Sequence, residues 1–259
     1  MTPLEALIIA IVEGLTEFLP VSSTGHMIIA EKILGISSTE FTRLFAVNIQ
    51  FGAILSVVVL YWKRFVQSFD FYLRLGIAFF PAGVIGFFLI DYIDRMLESV
   101  LIVAVMLVAG GVILLFIDRW LGRASQDQAV TPKKALYIGL FQCIAMIPGV
   151  SRSAATIIGG MSQGLTRTTA AEFSFFLAVP TMFAAGVFKL FTSYRDITVE
   201  NAGILLLGNL IAFITATIAI KGFITYLTRH GFRIFGWYRI AVGLLILVLH
   251  SLGYSLSMQ

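Results

Sequence analysis

Charge is scarce in this sequence: only 12% of its 259 residues are Asp, Glu, Lys or Arg, about half the share of an ordinary soluble domain. Cysteine is almost absent. The single Cys143 excludes an intrachain disulfide and a multi-cysteine metal cluster, and it reads as a small packing residue. A basic face is missing too. The net charge of +4 comes from residues scattered through short polar breaks, so no nucleic-acid partner is expected. The opening MTPLEALIIAIVEGL has no basic n-region and carries acids inside its apolar run, so no cleavable signal is expected either.

What fills the chain is apolar: 59% of residues are hydrophobic and the mean hydropathy is +0.96. The expectation is an all-α polytopic membrane protein surrounded by lipid. Six stretches, roughly 41–62, 75–95, 99–118, 170–190, 201–224 and 234–253, approach the ~20 residues that cross a bilayer core. Two further apolar stretches, 4–34 and 135–163, are interrupted near their middles by LPVSST (19–24) and IPGVSRS (147–153). Each half is too short to span alone. Both stretches read as re-entrant hairpins, whose irregular backbone is tolerated in a membrane only where protein or a water-filled cavity satisfies it.

One hairpin and three crossings (1–125) are followed by one hairpin and three crossings (126–259), an internal repeat with an offset near 128. Pro20 then falls on Pro148, Ser23 on Ser151 and Phe45 on Phe173. Three crossings is an odd number, so the second copy is expected to be inverted. Loop charge orients the chain. The side of the N-terminus would hold five basic residues, Lys32, Arg43, Arg95, Lys189 and Arg195. The other side would hold twelve: Lys63, Arg64, Arg74, Arg119, Arg123, Lys133, Lys134, Arg167, Lys221, Arg229, Arg233 and Arg239. Both termini are therefore expected outside the cytoplasm.

The two breaks carry the chemistry. In EGLTEFLPVSSTGH (13–26), Glu13 and Glu17 share one helix face and could supply a base or share a divalent metal. After Pro20 a helix restarts at the serines, and His26 follows Ser23 at a spacing that allows a hydrogen bond and an activated nucleophile. In PGVSRSAAT (148–156), Ser151 can cap a helix whose N-terminus attracts anions. Arg152 adds a planar fork of donors for phosphate oxygens, with Ser153 and Thr156 one turn on. If the two tips meet, an anion is approached by nucleophile, base and arginine, an arrangement suited to phosphoryl transfer on a lipid phosphate. Asn48 and Gln50 are candidates to line the same cavity. Glu172, His230 and His250 read as interfacial.

EGLTEFLPVSSTGH and PGVSRSAAT match, without a gap, the two signature motifs of the bacterial undecaprenyl-diphosphatases, the bacitracin-resistance family, and the crossing pattern extends the resemblance over nearly the whole chain. The resemblance implies hydrolysis of undecaprenyl diphosphate to the monophosphate in the bacterial inner membrane, which recycles the lipid carrier of peptidoglycan synthesis. It also implies a site open to the periplasm, dependence on Mg²⁺ or Ca²⁺, and an inverted-repeat fold able to form a homodimer. Glu13 and Glu17 match the family's acidic pair. Ser22, Ser23 and His26 match its hydroxyl and imidazole group, and Ser151, Arg152, Ser153 and Thr156 its phosphate-binding loop. The residues themselves leave the attacking group open among Ser23 assisted by His26, His26 alone and water. They also leave three rivals: a lipid-phosphate transporter using the same anion site without hydrolysis, an intramembrane serine hydrolase built on Ser23 and His26, and a purely structural membrane protein, against which the polarity of the two breaks speaks.

Overall fold

The computed structural model describes residues 1–66, 68–97, 99–193 and 199–252. Arg195, counted in the loop-charge tally, and Gly253, at the end of the last expected crossing, lie outside the described residues. Among those described, every regular element is helical. The order is α1 (Pro3–Thr16), α2 (Ser23–Leu34), α3 (Glu40–Leu60), α4 (Trp62–Phe65), α5 (Phe69–Leu97) and α6 (Val100–Leu121). There follow α7 (Pro132–Ile144), α8 (Arg152–Ser162), α9 (Arg167–Ser193), α10 (Val199–Arg229) and α11 (Arg233–Ser251).

Six of these helices, α3, α5, α6, α9, α10 and α11, are long and apolar enough to cross a membrane, and they fall on the six expected stretches. The exception in detail is the single turn α4, which follows α3 after a break at Tyr61. The remaining four helices form two short pairs, α1 with α2 and α7 with α8. Their starts follow capping chemistry. Thr2 and Glu5 form a reciprocal capping box ahead of α1, and Thr131 with Pro132 opens α7.

Packing exchanges the halves of the chain. The first helix α1 lies along α10, whereas α7 lies along α5, and α3 crosses α9 while α6 pairs with α11. Gly14 lets α1 approach the α10 backbone at Ala212, and Gly139 lets α7 approach the α5 backbone at Ala78; a Cβ at either position would collide. Both short pairs are thereby packed closely against long helices. Phe18, in the α1–α2 connection, is fully buried against Phe175 of α9 in an edge-on contact at 5.4 Å.

Arg239 corrects the loop-charge tally. It sits inside α11, with none of its surface exposed, so it is no loop cation and one of the twelve falls away.

Candidate active site

Each short pair turns in a connection that forces its backbone. Helix α1 ends at Thr16, and Glu17 caps it with its N–H on the Glu13 carbonyl at 2.9 Å, which leaves both acids on one face. After Pro20 the chain reaches Ser22 at φ 68°, and α2 begins. The second connection passes Pro148 and Gly149 (φ 92°) to Ser151 at φ 76°, and α8 begins. Ser22 and Ser151 are the only non-glycine residues with positive φ among those described. Such backbone costs about 1–3 kcal/mol per residue and persists where surroundings enforce it. The offset read from the prolines paired Ser23 with Ser151. The backbone instead matches Ser22 to Ser151, because Gly149 lengthens the second turn by one residue.

The two tips meet. Arg152, at the start of α8, donates from Nη2 to Glu17 Oε1 at 3.0 Å. Its Nη1 donates to the Ser174 carbonyl at 3.0 Å, and its guanidinium lies 5.9 Å from the centre of the Phe18 ring. The other Glu17 oxygen accepts from Ser23 Oγ at 2.7 Å. Ser153 Oγ donates to the Phe18 carbonyl at 2.7 Å, a second bond between the tips. Glu17 thus stands between a hydroxyl on one side and a guanidinium on the other.

A third element, which the sequence did not suggest, fixes both tips. Arg239 donates to the carbonyls of Pro20 (3.2 Å), Val150 (2.9 Å) and Gly149 (2.8 Å). Its remaining bonds go to Leu107 (3.3 Å) and Met106 (3.1 Å) of α6. Gly110 leaves the space that the guanidinium occupies. One buried cation therefore gathers carbonyls from both connections.

Several expected roles change with the geometry. His26 does not bond Ser23. Its Nδ1 donates to the Ser22 carbonyl at 2.8 Å, so its Nε2 accepts from Tyr238 Oη at 2.7 Å, with the two rings stacked. Ser153 and Thr156 are fully buried and do not face the cavity. Thr156 Oγ1 bonds Ser174 Oγ at 2.7 Å, so both hydroxyls brace the site. Ser151 Oγ accepts from the Ala154 N–H at 3.2 Å and caps α8 as expected. Ser22, also an N-cap, makes no such side-chain bond. Asn48 does not reach the cavity either, because its Oδ1 accepts from Asn209 of α10 at 2.6 Å. Gln50 is absent from the cavity wall, and Glu172 is half-buried in the first turns of α9.

A cavity of about 530 Å³ opens beside Arg152 among α5, α7, α8 and α9. Its lining is apolar and small, with Phe79, Phe87, Ile90 and Phe188 among the larger members; Gln142, Thr181 and Arg152 are the polar ones. Glu13 is 2% exposed, and its Oε1 has no hydrogen-bond partner among the described residues. Among the described residues no three His, Cys, Asp or Glu side chains form a self-sufficient metal site. An unpaired buried carboxylate oxygen beside Glu17 does fit a magnesium-type ion, which takes one or two carboxylates and completes its shell with waters and substrate phosphates.

These features define a helical membrane protein with a part-buried carboxylate, hydroxyl and guanidinium array beside an apolar cavity that Arg152 borders. A family model described as "Bacitracin resistance protein BacA" matches residues 6–245. Relatives named "Undecaprenyl-diphosphatase" match nearly end to end. The Flavobacterium johnsoniae protein is 55% identical over 263 residues, covering 99% of each chain. The Flavobacterium psychrophilum protein is 54% identical over 261 residues, covering all of both. The Aquifex aeolicus protein is 47% identical over 248 residues, covering 94% of this chain and 97% of the relative. The chain belongs to the BacA family.

Proposed function

We propose that this protein is an undecaprenyl-diphosphatase that releases inorganic phosphate from undecaprenyl diphosphate. In that role it returns the lipid carrier to cell-wall polymer synthesis and confers bacitracin resistance. The observation that carries the reading is the chain Ser23–Glu17–Arg152, which joins the two tips through bonds of 2.7 and 3.0 Å. The near-full-length relatives that bear this name support it.

In the proposed reaction Arg152 and the free N–H groups at the starts of α2 and α8 hold the terminal phosphate and stabilise charge in the transition state. Glu17 takes the proton of Ser23 as Oγ attacks the terminal phosphorus. The bond from that phosphorus to the bridging oxygen breaks, and the lipid-linked phosphate leaves with both electrons of the bond. Water then cleaves the phosphoserine, releases inorganic phosphate and restores the hydroxyl. Glu13 and Glu17 would hold a divalent ion, Mg²⁺ or Ca²⁺, which supplies charge neutralisation at the phosphates when bound. Ser153, Thr156 and Arg239 keep the tips in register. The prenyl tail lies in the apolar cavity, which begins at Arg152.

The membrane arrangement follows the same reading. The two short pairs are re-entrant hairpins of an inverted repeat, 1–125 and 126–259, in the bacterial inner membrane. Both termini and the opening of the site face the periplasm. The exchange of partners, α1 on α10 and α7 on α5, is the swap that a two-fold repeat produces, and the matched Ser22 and Ser151 backbones agree with it.

Phosphate release from undecaprenyl diphosphate by purified protein in detergent tests the reading. Detergent removes any second compartment, so transport alone releases nothing. Release that both Arg152→Ala and Ser23→Ala abolish is the expected result. Full activity in Ser23→Ala would make water or His26 the attacking group. Absence of release from folded wild-type protein supplied with metal would replace the phosphatase with a lipid-phosphate carrier.

A further inference from the structure

Two buried donors without partners border the same cavity. Arg152 Nε and Gln142 Nε2 are both sealed from solvent just behind the wall, and neither has a hydrogen-bond partner among the described residues. Both side chains line the cavity of about 530 Å³. An unsatisfied buried polar group costs about 1–3 kcal/mol. Two of them on a wall otherwise built of phenylalanine, alanine and glycine mark the place where an acceptor fits.

Gln142 comes from the last turn of α7 and is 3% exposed. Among the described residues its side chain meets one hydrogen-bonding partner, Thr181 Oγ1, at 3.4 Å from Oε1. That hydroxyl directs its proton to the Leu177 carbonyl at 2.7 Å. The amide is therefore loosely held, and in either orientation of its O and N at least one of its two N–H donors is uncommitted. Arg152 engages Nη2 with Glu17 and Nη1 with Ser174, so Nε is the one guanidinium nitrogen with no partner among the described residues, while Nη2 keeps a second N–H for the terminal phosphate.

We infer that Gln142 is a substrate-binding residue that donates to the lipid-linked phosphate, the one that the product retains. The inference rests on the diphosphatase reading. Ser23, Glu17 and Arg152 are joined in that order, and Gln142 follows on the cavity wall. A diphosphate laid along this line puts its terminal phosphate against Ser23 and its lipid-linked phosphate between Arg152 Nε and Gln142. The tail then enters the apolar cavity without crossing the polar array. A neutral amide suits this position, because it donates to the phosphate without adding a second fixed charge beside the leaving group. The site so defined recognises a phosphate monoester of a long apolar alcohol, through that phosphate.

Direct binding of undecaprenyl phosphate and of inorganic phosphate, measured separately by calorimetry on purified full-length protein in detergent, tests the inference without needing turnover. Gln142→Leu is expected to weaken undecaprenyl phosphate binding by about tenfold or more, the loss of a hydrogen bond to a charged group, and to raise KM for the diphosphate in parallel. Inorganic phosphate, which occupies the terminal site, should bind as it does to wild type. Gln142→Glu keeps the size of the side chain and faces the phosphate with a carboxylate, so it should weaken undecaprenyl phosphate binding more than Leu does. Unchanged lipid-phosphate binding in Gln142→Leu, or wild-type binding in Gln142→Glu, overturns the inference. So does a loss of inorganic phosphate binding that matches the loss for the lipid. Thermal midpoints compared across the three proteins separate misfolding from lost contact. Wild-type protein that binds undecaprenyl phosphate but releases no phosphate would sink the diphosphatase reading and leave the role of Gln142 to be judged on binding alone.

Discussion

The Arg152 guanidinium and the Glu17 carboxylate, 135 residues apart in sequence, meet at 3.0 Å with side chains only 12% and 9% exposed. Such a pair gains little as a stabilising contact relative to an apolar substitute, but breaking it strands a buried charge at about 3–5 kcal/mol. Arg152→Ala and Glu17→Ala should therefore lose both activity and stability. The double variant should be more stable than the sum of the two single losses implies. Thermal unfolding of all four proteins in detergent checks this, and strictly additive losses would deny the pair its coupling.

Arg239 makes its bonds to backbone carbonyls, not to an acid. Arg239→Lys keeps the charge but cannot reach five acceptors on α6 and both connections. It is expected to lower the unfolding free energy by at least about 2 kcal/mol, since each stranded buried carbonyl costs about 1–3 kcal/mol. Gly110→Leu, which fills the space of the guanidinium, should reproduce the defect. A Gly110→Leu protein with wild-type melting and turnover would show that the guanidinium can sit elsewhere.

Ser22 tests strain. Glycine adopts its φ of 68° without a side-chain penalty. Ser22→Gly should raise stability by up to about 1 kcal/mol, whereas Ser22→Val should lower it, because a β-branched residue fits that backbone worst. Opposite shifts in melting temperature are the expected readout.

His26 is held by Ser22 and Tyr238, away from Ser23. His26→Ala should therefore reduce kcat far less than Ser23→Ala. Tyr238→Phe, which removes one neutral hydrogen bond worth about 1 kcal/mol, should reduce it by less than tenfold. Equal losses in Ser23→Ala and His26→Ala would return the imidazole to the base's role.

Glu13 has a buried oxygen with nothing to bond. Glu13→Gln should raise the Mg²⁺ concentration for half-maximal phosphate release by at least about tenfold, a loss seen even for outer-shell partners of metals. A metal titration of turnover after EDTA treatment measures it, and an unshifted midpoint would remove Glu13 from the ion.

The six long helices were legible because hydropathy over about 20 residues is a strong signal. The two short pairs were legible because Pro20 and Pro148 interrupt runs too short to span. Glu17, Ser23 and Arg152 stood out because charge and hydroxyls are conspicuous in so apolar a chain. Arg239 was misplaced although it was just as conspicuous. Its partners are carbonyls of Pro20, Gly149 and Val150, and backbone acceptors leave no mark on residue identity. An arginine six residues into the apolar helix α11 was the available clue. Ser153 and Thr156 were read as phosphate ligands because spacing gives the turn of a helix that a hydroxyl occupies, not whether Phe18 or Ser174 meets it first. Gln142 and Tyr238 gave no signal, since single polar residues near helix ends are ordinary.

The cavity that begins at Arg152 lies among lipid-facing helices, with exposed Phe87 and Phe188 on its wall. A substrate that approaches from that direction diffuses in two dimensions and never leaves the bilayer. Turnover should then follow the mole fraction of substrate in the lipid or detergent phase, so that adding inert amphiphile at constant total substrate slows the enzyme.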